Sequence, residues 1–163
     1  EIAKLVCGAE FHSAADIVIA SAYPIDFNLW QAGKALYSAD LVAKDGGLII
    51  LVSPCSEGVG EHGSFRDLIF QDYDSIEKLI DSGSVDKISA AAALAVALVR
   101  QRVEVWMVTQ GITEDDCKKM GFKRFLSVSG AVEAAIKERP GATFSIMHNA
   151  CEVLPIEKAR KNA

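Results

Sequence analysis

Residues 16 to 53, DIVIASAYPIDFNLWQAGKALYSADLVAKDGGLIILVS, constrain the chain more than any other stretch. The unbroken apolar run Ile17, Val18, Ile19, Ala20 suits a strand buried on both faces, as in a parallel sheet. Pro24 interrupts it and pushes Tyr23 away from helical angles. Asp26 is then a candidate helix N-cap. Leu29, Ala32, Gly33, Leu36, Ala39 and Ala43 recur at helical spacing and form one apolar face. Gly46-Gly47 closes the helical region, and Leu48 to Val52 reads as a second buried strand. The pattern is a βαβ unit, for which a right-handed crossover is expected.

Two polar residues of that helix stand out. Gln31 and Lys34 are three apart in its first turns and therefore lie side by side. They follow the carboxyl end of the first strand, the edge where open α/β sheets bind ligands. An amide and an ammonium there suit a carboxylate or phosphate, helped by the positive end of the helix dipole. The plainer alternative is a solvated helix face.

The remainder repeats the alternation. Residues 65–80 have helical periodicity, with Asp72-Tyr73-Asp74 able to break it into two. Asp86 to Arg102, Thr113 to Met120 and Ser129 to Glu138 read as helices; Val103 to Thr109, Phe122 to Ser127 and Thr143 to His148 read as strands. Glu1 to Ala15 reads as a lead-in helix or connector, residues 16–156 as one domain, and residues 157–163 as a charged tail that follows a stop at Pro155. The expected architecture is α/β: three layers, a mostly parallel sheet with helices on both faces, Rossmann-like in topology. A net charge of −5 offers no basic footprint for nucleic acid, and no apolar run is long enough to span a bilayer. The four cysteines are scattered without a CxxC pair, so reduced thiols and a cytoplasmic location are expected.

The loop SPCSEGVGEHGS, residues 53–64, formally contains G-x-G-x-x-G at Gly58, Gly60 and Gly63. No strand follows to supply a ribose-binding acid, and Glu57 and Glu61 would repel phosphate, which argues against a dinucleotide site. The loop instead brings Glu57, Glu61 and His62 to the edge that carries Gln31 and Lys34. His62 reads as a solvated loop residue or a proton-transfer group, and Cys55 as a small buried thiol or a reactive one. His148 ends a strand and could face the same edge, whereas His12 has no second ligand nearby.

The motif Tyr23-Pro24-x-Asp26-x-Asn28-Leu29-x-Gln31-x-x-Lys34-x-Leu36, then Gly46-Gly47 and Cys55-x-x-Gly58-x-Gly60, resembles the C-terminal domain of the nickel-dependent lactate racemase family. The likeness is dense over the first third of the chain. Two departures are visible: Ser21-Ala22 stands where the family usually has glycine before Tyr-Pro, and VDKIS at residues 85–89 stands where a Gly-x-His-Lys element is expected.

The resemblance implies the substrate-side domain of a nickel-pincer-dependent 2-hydroxy acid racemase or epimerase. It assigns the substrate carboxylate to Gln31 and Lys34; Tyr23, Asp26, Asn28, Cys55, Glu57 and His62 are further ligand-edge candidates. It places the nickel-pincer nucleotide, its attachment lysine and the proton-transferring histidines on a preceding N-terminal domain. That domain and a small 2-hydroxy acid would be the partners. No cofactor is then expected on this piece, which alone would be inactive. A non-catalytic α/β binding or assembly module is the competing expectation.

Overall fold

The computed structural model describes residues 1–158. Five parallel strands form the main sheet: β2 (Ala15–Ser21), β3 (Ala43–Val52), β4 (Glu104–Val108), β5 (Lys123–Phe125) and β6 (Phe144–Met147), in the order β5-β4-β3-β2-β6. Alternation of side chains sorts each strand between two cores. Val18, Ala20, Ile49, Leu51, Val105 and Met107 pack into one cluster, with residues of α2 (Leu29–Asp40) and α5 (Lys87–Arg102). Ile17, Leu48, Ile50, Trp106 and Val108 pack into the other, against Ala131 and Ala135 of α7 (Val128–Glu138). Helices therefore cover both faces, and the apolar runs are continuous because neither face of the central strands meets water.

The break at Asp72 is real: that residue caps α4 (Tyr73–Asp81), which follows the short α3 (Phe65–Leu68). Thr113 caps α6 (Glu114–Lys119) by accepting the amide of Asp116.

Three expectations are corrected. The lead-in is not one helix. Only α1 (Ile2–Cys7) is helical, and β1 (Gly8–Phe11) follows it, pairing in parallel with β7 (Leu154–Glu157) as a separate two-stranded sheet. Pro155 therefore does not stop the order; it lies inside β7. The strand has one partner, and the Lys158 amide bonds to Phe11, so the alternate position 155 turns its missing N–H away from β1. Glu157 is ordered in that strand, and residues 159–163 of the expected tail lie outside the described residues.

The third correction concerns Gly46-Gly47. Helix α2 ends at Asp40, and β3 begins at Ala43, ahead of the glycines. They sit in an irregularity where two steps along β2, Ala15 to Ile17, face five along β3, Ala43 to Leu48. Gly46 has φ +70°, and a Cβ on Gly47 would stand 2.7 Å from the Lys44 carbonyl oxygen, so side chains are disfavoured at both.

Asp16 ties this irregular corner together. Its carboxylate accepts from Lys44 Nζ at 2.8 Å and from the Thr143 amide at 2.9 Å. The Lys44 hydrogen bond, and then those of Thr143, hold the carboxyl well below the usual carboxylate range. A depressed folded-state pKa means the contribution is fully present above the unfolded value of about 3.9 and disappears as pH falls through the folded value. Asp16→Asn should therefore flatten the acid limb of a plot of Tm against pH and leave its neutral region parallel to the parent. An acid limb of unchanged slope would remove this residue from the linkage.

Candidate functional site

The rim of the sheet is built where the β2–α2 connection meets the loop after β3. Asn28, not Asp26, is the N-cap of α2: its Oδ1 accepts the Gln31 amide at 3.1 Å. Asp26 lies two residues earlier, where its carbonyl accepts from the Cys55 amide at 3.0 Å and from Ser53 Oγ at 2.9 Å. The pairing continues: Glu57 N donates to Phe27 O, Leu29 N to Gly58 O and Trp30 N to Val59 O, at 2.8 to 3.1 Å. Residues 26–30 and 55–59 are thus joined along their backbones.

This joining decides what the helix can do. The Leu29, Trp30 and Gln31 amides at the start of α2 are all satisfied within the chain. The helix dipole still contributes its field, but these N–H groups do not reach an incoming anion. Any anion there must be held by side chains. Lys34 Nζ donates to Gln31 Oε1 at 2.7 Å, so the two groups meet as the three-residue spacing requires. Lys34 is exposed and Gln31 half-buried. With the amide oxygen occupied, the Gln31 NH2 and the remaining ammonium hydrogens have no protein partner among the described residues.

A polar cleft at the N-cap of α2 is lined by Asn28, Glu57, Gly58, Val59, Gly60, Glu61 and Arg66. Asn28 Nδ2 donates to Glu57 Oε2 at 3.1 Å across it. Gln31 and Lys34 are not among its lining residues; of the residues that begin α2, the cleft meets the cap Asn28. Gly58, Gly60 and Gly63 all have left-handed φ values, +70°, +93° and +47°. The glycines serve the tight path of the loop rather than a pyrophosphate: two carboxylates share the cleft with one guanidinium, and only the four-residue α3 follows.

The remaining candidates separate. Tyr23 is exposed, at 61% of its full accessibility. Cys55 is corrected as a ligand-edge residue: it is completely buried, 3.1 Å from Ser53 Oγ, and burial pushes its thiol up to about 11. That thiol is neither accessible nor a thiolate at neutral pH. His62 is exposed, yet its ring lies flat on Trp30, with centroids 3.8 Å apart. His148 belongs to a different cleft, between β6 and the β1–β7 ribbon, lined by Ala9, Phe11, Met147 and Pro155. His12 is exposed in the turn between β1 and β2.

Sequence reasoning missed two residues here. Trp30 was hidden in the motif as an unassigned position next to Gln31. Cys151 donates towards the carbonyls of Ala22 and Gln31, from a turn 120 residues away from the latter, and no local pattern announces that. Among the described residues, no group of three or more His, Cys, Asp or Glu is arranged to hold a metal ion. No helix among them is long and apolar enough to cross a membrane.

Comparison with known proteins agrees with this architecture. The lactate racemase from Thermoanaerobacterium thermosaccharolyticum is 43% identical over 54 residues, 32% of this chain and 13% of that protein. The lactate racemase from Lactiplantibacillus plantarum is 35% identical over 68 residues, 40% of this chain and 16% of that protein. The solved lactate racemase apoprotein from T. thermosaccharolyticum superposes with a TM-score of 0.82 at 23% identity, covering 96% of this chain. A crystal structure of a Thermotoga maritima protein superposes at 0.61 with 17% identity, covering 96% of this chain and 40% of that one. At such identities the superpositions speak for the fold. The chain spans 39% of the length of the solved lactate racemase. The family description "Lactate racemase C-terminal domain" matches residues 11–154, and with that match over most of its length the chain belongs to this family.

Proposed function

We propose that this chain is the substrate-side domain of a longer, nickel-pincer-dependent 2-hydroxy acid racemase or epimerase, and that Gln31 and Lys34 anchor the substrate carboxylate. The observation that carries the reading is the 2.7 Å Lys34–Gln31 contact. It sets the amide oxygen on the ammonium and leaves the Gln31 NH2 and the other ammonium hydrogens without a protein partner among the described residues. An N–H of the amide and one of the ammonium are then both available to a carboxylate. The ammonium supplies a charge-assisted bond and the amide supplies direction.

Such an anchor suits inversion at carbon. The carboxylate is common to both enantiomers, so holding it alone leaves the α-carbon free to change configuration. Fixing the acid in one place converts encounter into position, which accounts for several kcal/mol of barrier in well-oriented systems. The nickel-pincer nucleotide would supply hydride chemistry on the N-terminal domain. Among the described residues no group of His, Cys, Asp or Glu is arranged to hold a metal ion, and the part this reading gives Gln31 and Lys34 is binding and orientation.

The test uses the full-length protein that carries this domain, with its nickel cofactor, against a panel of 2-hydroxy acids. Racemisation of at least one acid is expected. Gln31→Glu, nearly the same size, should remove it by setting a carboxylate beside Lys34 where the substrate's own must sit. Failure of the parent to racemise any acid would favour the non-catalytic module. Full activity in Gln31→Glu would remove the anchor from this pair.

A further inference from the structure

The two faces of the main sheet are not covered alike. Residues of α2, α3, α4, α5 and α6 all pack into the first core, whereas among the described residues α7 is the one helix of the second. Helix α7 lies over β4 and β5, at one side of the sheet. Neighbouring strands stand about 4.8 Å apart and a helix is about 10 Å across, so one helix covers about two strands of the five.

The register shows where this cover runs out. Trp106, Ile50, Ile19 and Ile146 pair in turn across β4, β3, β2 and β6 and therefore share one face. Trp106 and Ile50 are completely buried, Ile19 is half-buried, and Ile146 is 63% exposed. Phe144 lies two residues back along β6, on the same face beside Ile17 of the second core, and is 40% exposed. Parallel sheets have both faces covered, so an apolar strip along β2 and β6, about as wide as one helix, departs from the rule.

The rest of the chain approaches from that side. The β1–β7 ribbon lies across a groove from β6, with Ala9, Phe11 and Pro155 facing Ser145 and Ile146. Helix α1, which leads into β1, buries none of its residues, and its Ile2, Leu5 and Val6 form an exposed apolar stripe. The chain spans 39% of the solved lactate racemase, so a protein of that plan has most of its length outside this domain. Chain continuing from the ribbon emerges beside the bare strip.

We propose that the strip over β2 and β6 is an interdomain surface, covered by an amphipathic helix from the part of the longer protein outside this domain. That helix lies beside α7, sets its apolar side on Ile19, Phe144 and Ile146, and completes the second core. The surface is independent of the carboxylate-anchoring reading and holds whatever the rim binds.

Hydroxyl-radical footprinting of the unaltered full-length protein, read by mass spectrometry, tests the cover. Phe122, 3% exposed, is the internal standard for a buried ring. Phe144 should be oxidised at the rate of Phe122. A bare strip would instead make it react roughly tenfold faster, in proportion to the two exposures. Phe144→p-benzoylphenylalanine in the full-length protein, irradiated and digested, then identifies the occupant. The expected adduct lies within one chain and joins residue 144 to a segment outside residues 1–163 whose apolar residues recur at helical spacing. A fast-reacting Phe144 would overturn the proposal. So would an adduct that joins two copies, one confined to this domain, or none.

Discussion

Lys34→Glu should lower kcat/KM of the full-length protein by about 10²-fold or more, since it places a charge of the wrong sign where a carboxylate must be positioned. The thermal unfolding midpoint should stay where it was. Lys34 is exposed and its hydrogen bond to Gln31 is a surface contact, of a kind that contributes little to stability. Lys34→Arg should fall between parent and reversal, because it keeps the charge but replaces a compact ammonium by a wide planar fork. Steady-state racemisation kinetics beside a melting curve decide the matter. Undiminished turnover in Lys34→Glu would show that the substrate carboxylate is held elsewhere.

The second large effect concerns stability and reaches the same rim from below. Gly111 lies against the loop after β3: its amide donates to Pro54 O at 2.8 Å. A Cβ there would fall deep inside the carbonyl oxygen of Cys55. That atom belongs to rigid backbone, which also pairs with Gly58 N, so nothing nearby can move aside cheaply. Gly111→Ala should cost about 3 kcal/mol, roughly 6–12 °C in Tm for a chain of this size. It should also weaken substrate binding, because the displaced segment is the one joined to the start of α2. Gly121→Ala is the control. Nothing stands within 4 Å of a Cβ there, but φ is +72°, so only the backbone cost of about 1–2 kcal/mol applies. Equal losses in the two variants would mean that crowding at Cys55 is not the cause.

Much of the fold was legible because the signals that specify it are local. Unbroken apolar runs located the central strands, and three- and four-residue spacings located α2 and the helical stretch 65–80. Asp86 and Thr113 announced the starts of α5 and α6 by residue type. The misreadings share a cause. Asp26 and Asn28 are both competent caps, and the choice of Asn28 was made by Ser53 and Cys55, which engage the carbonyl of Asp26 from another segment. Strand β1 was invisible because its partner β7 lies at the opposite end of the chain, and a four-residue segment reveals no pairing by itself.

The candidate site divides the same way. The sequence alone determined that Gln31 and Lys34 share a helix face at a sheet rim, since helical geometry brings residues three apart together whatever surrounds them. Only the tertiary structure decided that the helix's first amides are closed by the Gly58–Val59 carbonyls, that the Cys55 thiol is sealed from solvent, and that His62 lies on Trp30. Those outcomes depend on two segments about thirty residues apart meeting in one register. That meeting is set by long-range packing and backbone pairing, which no window of neighbouring residues encodes.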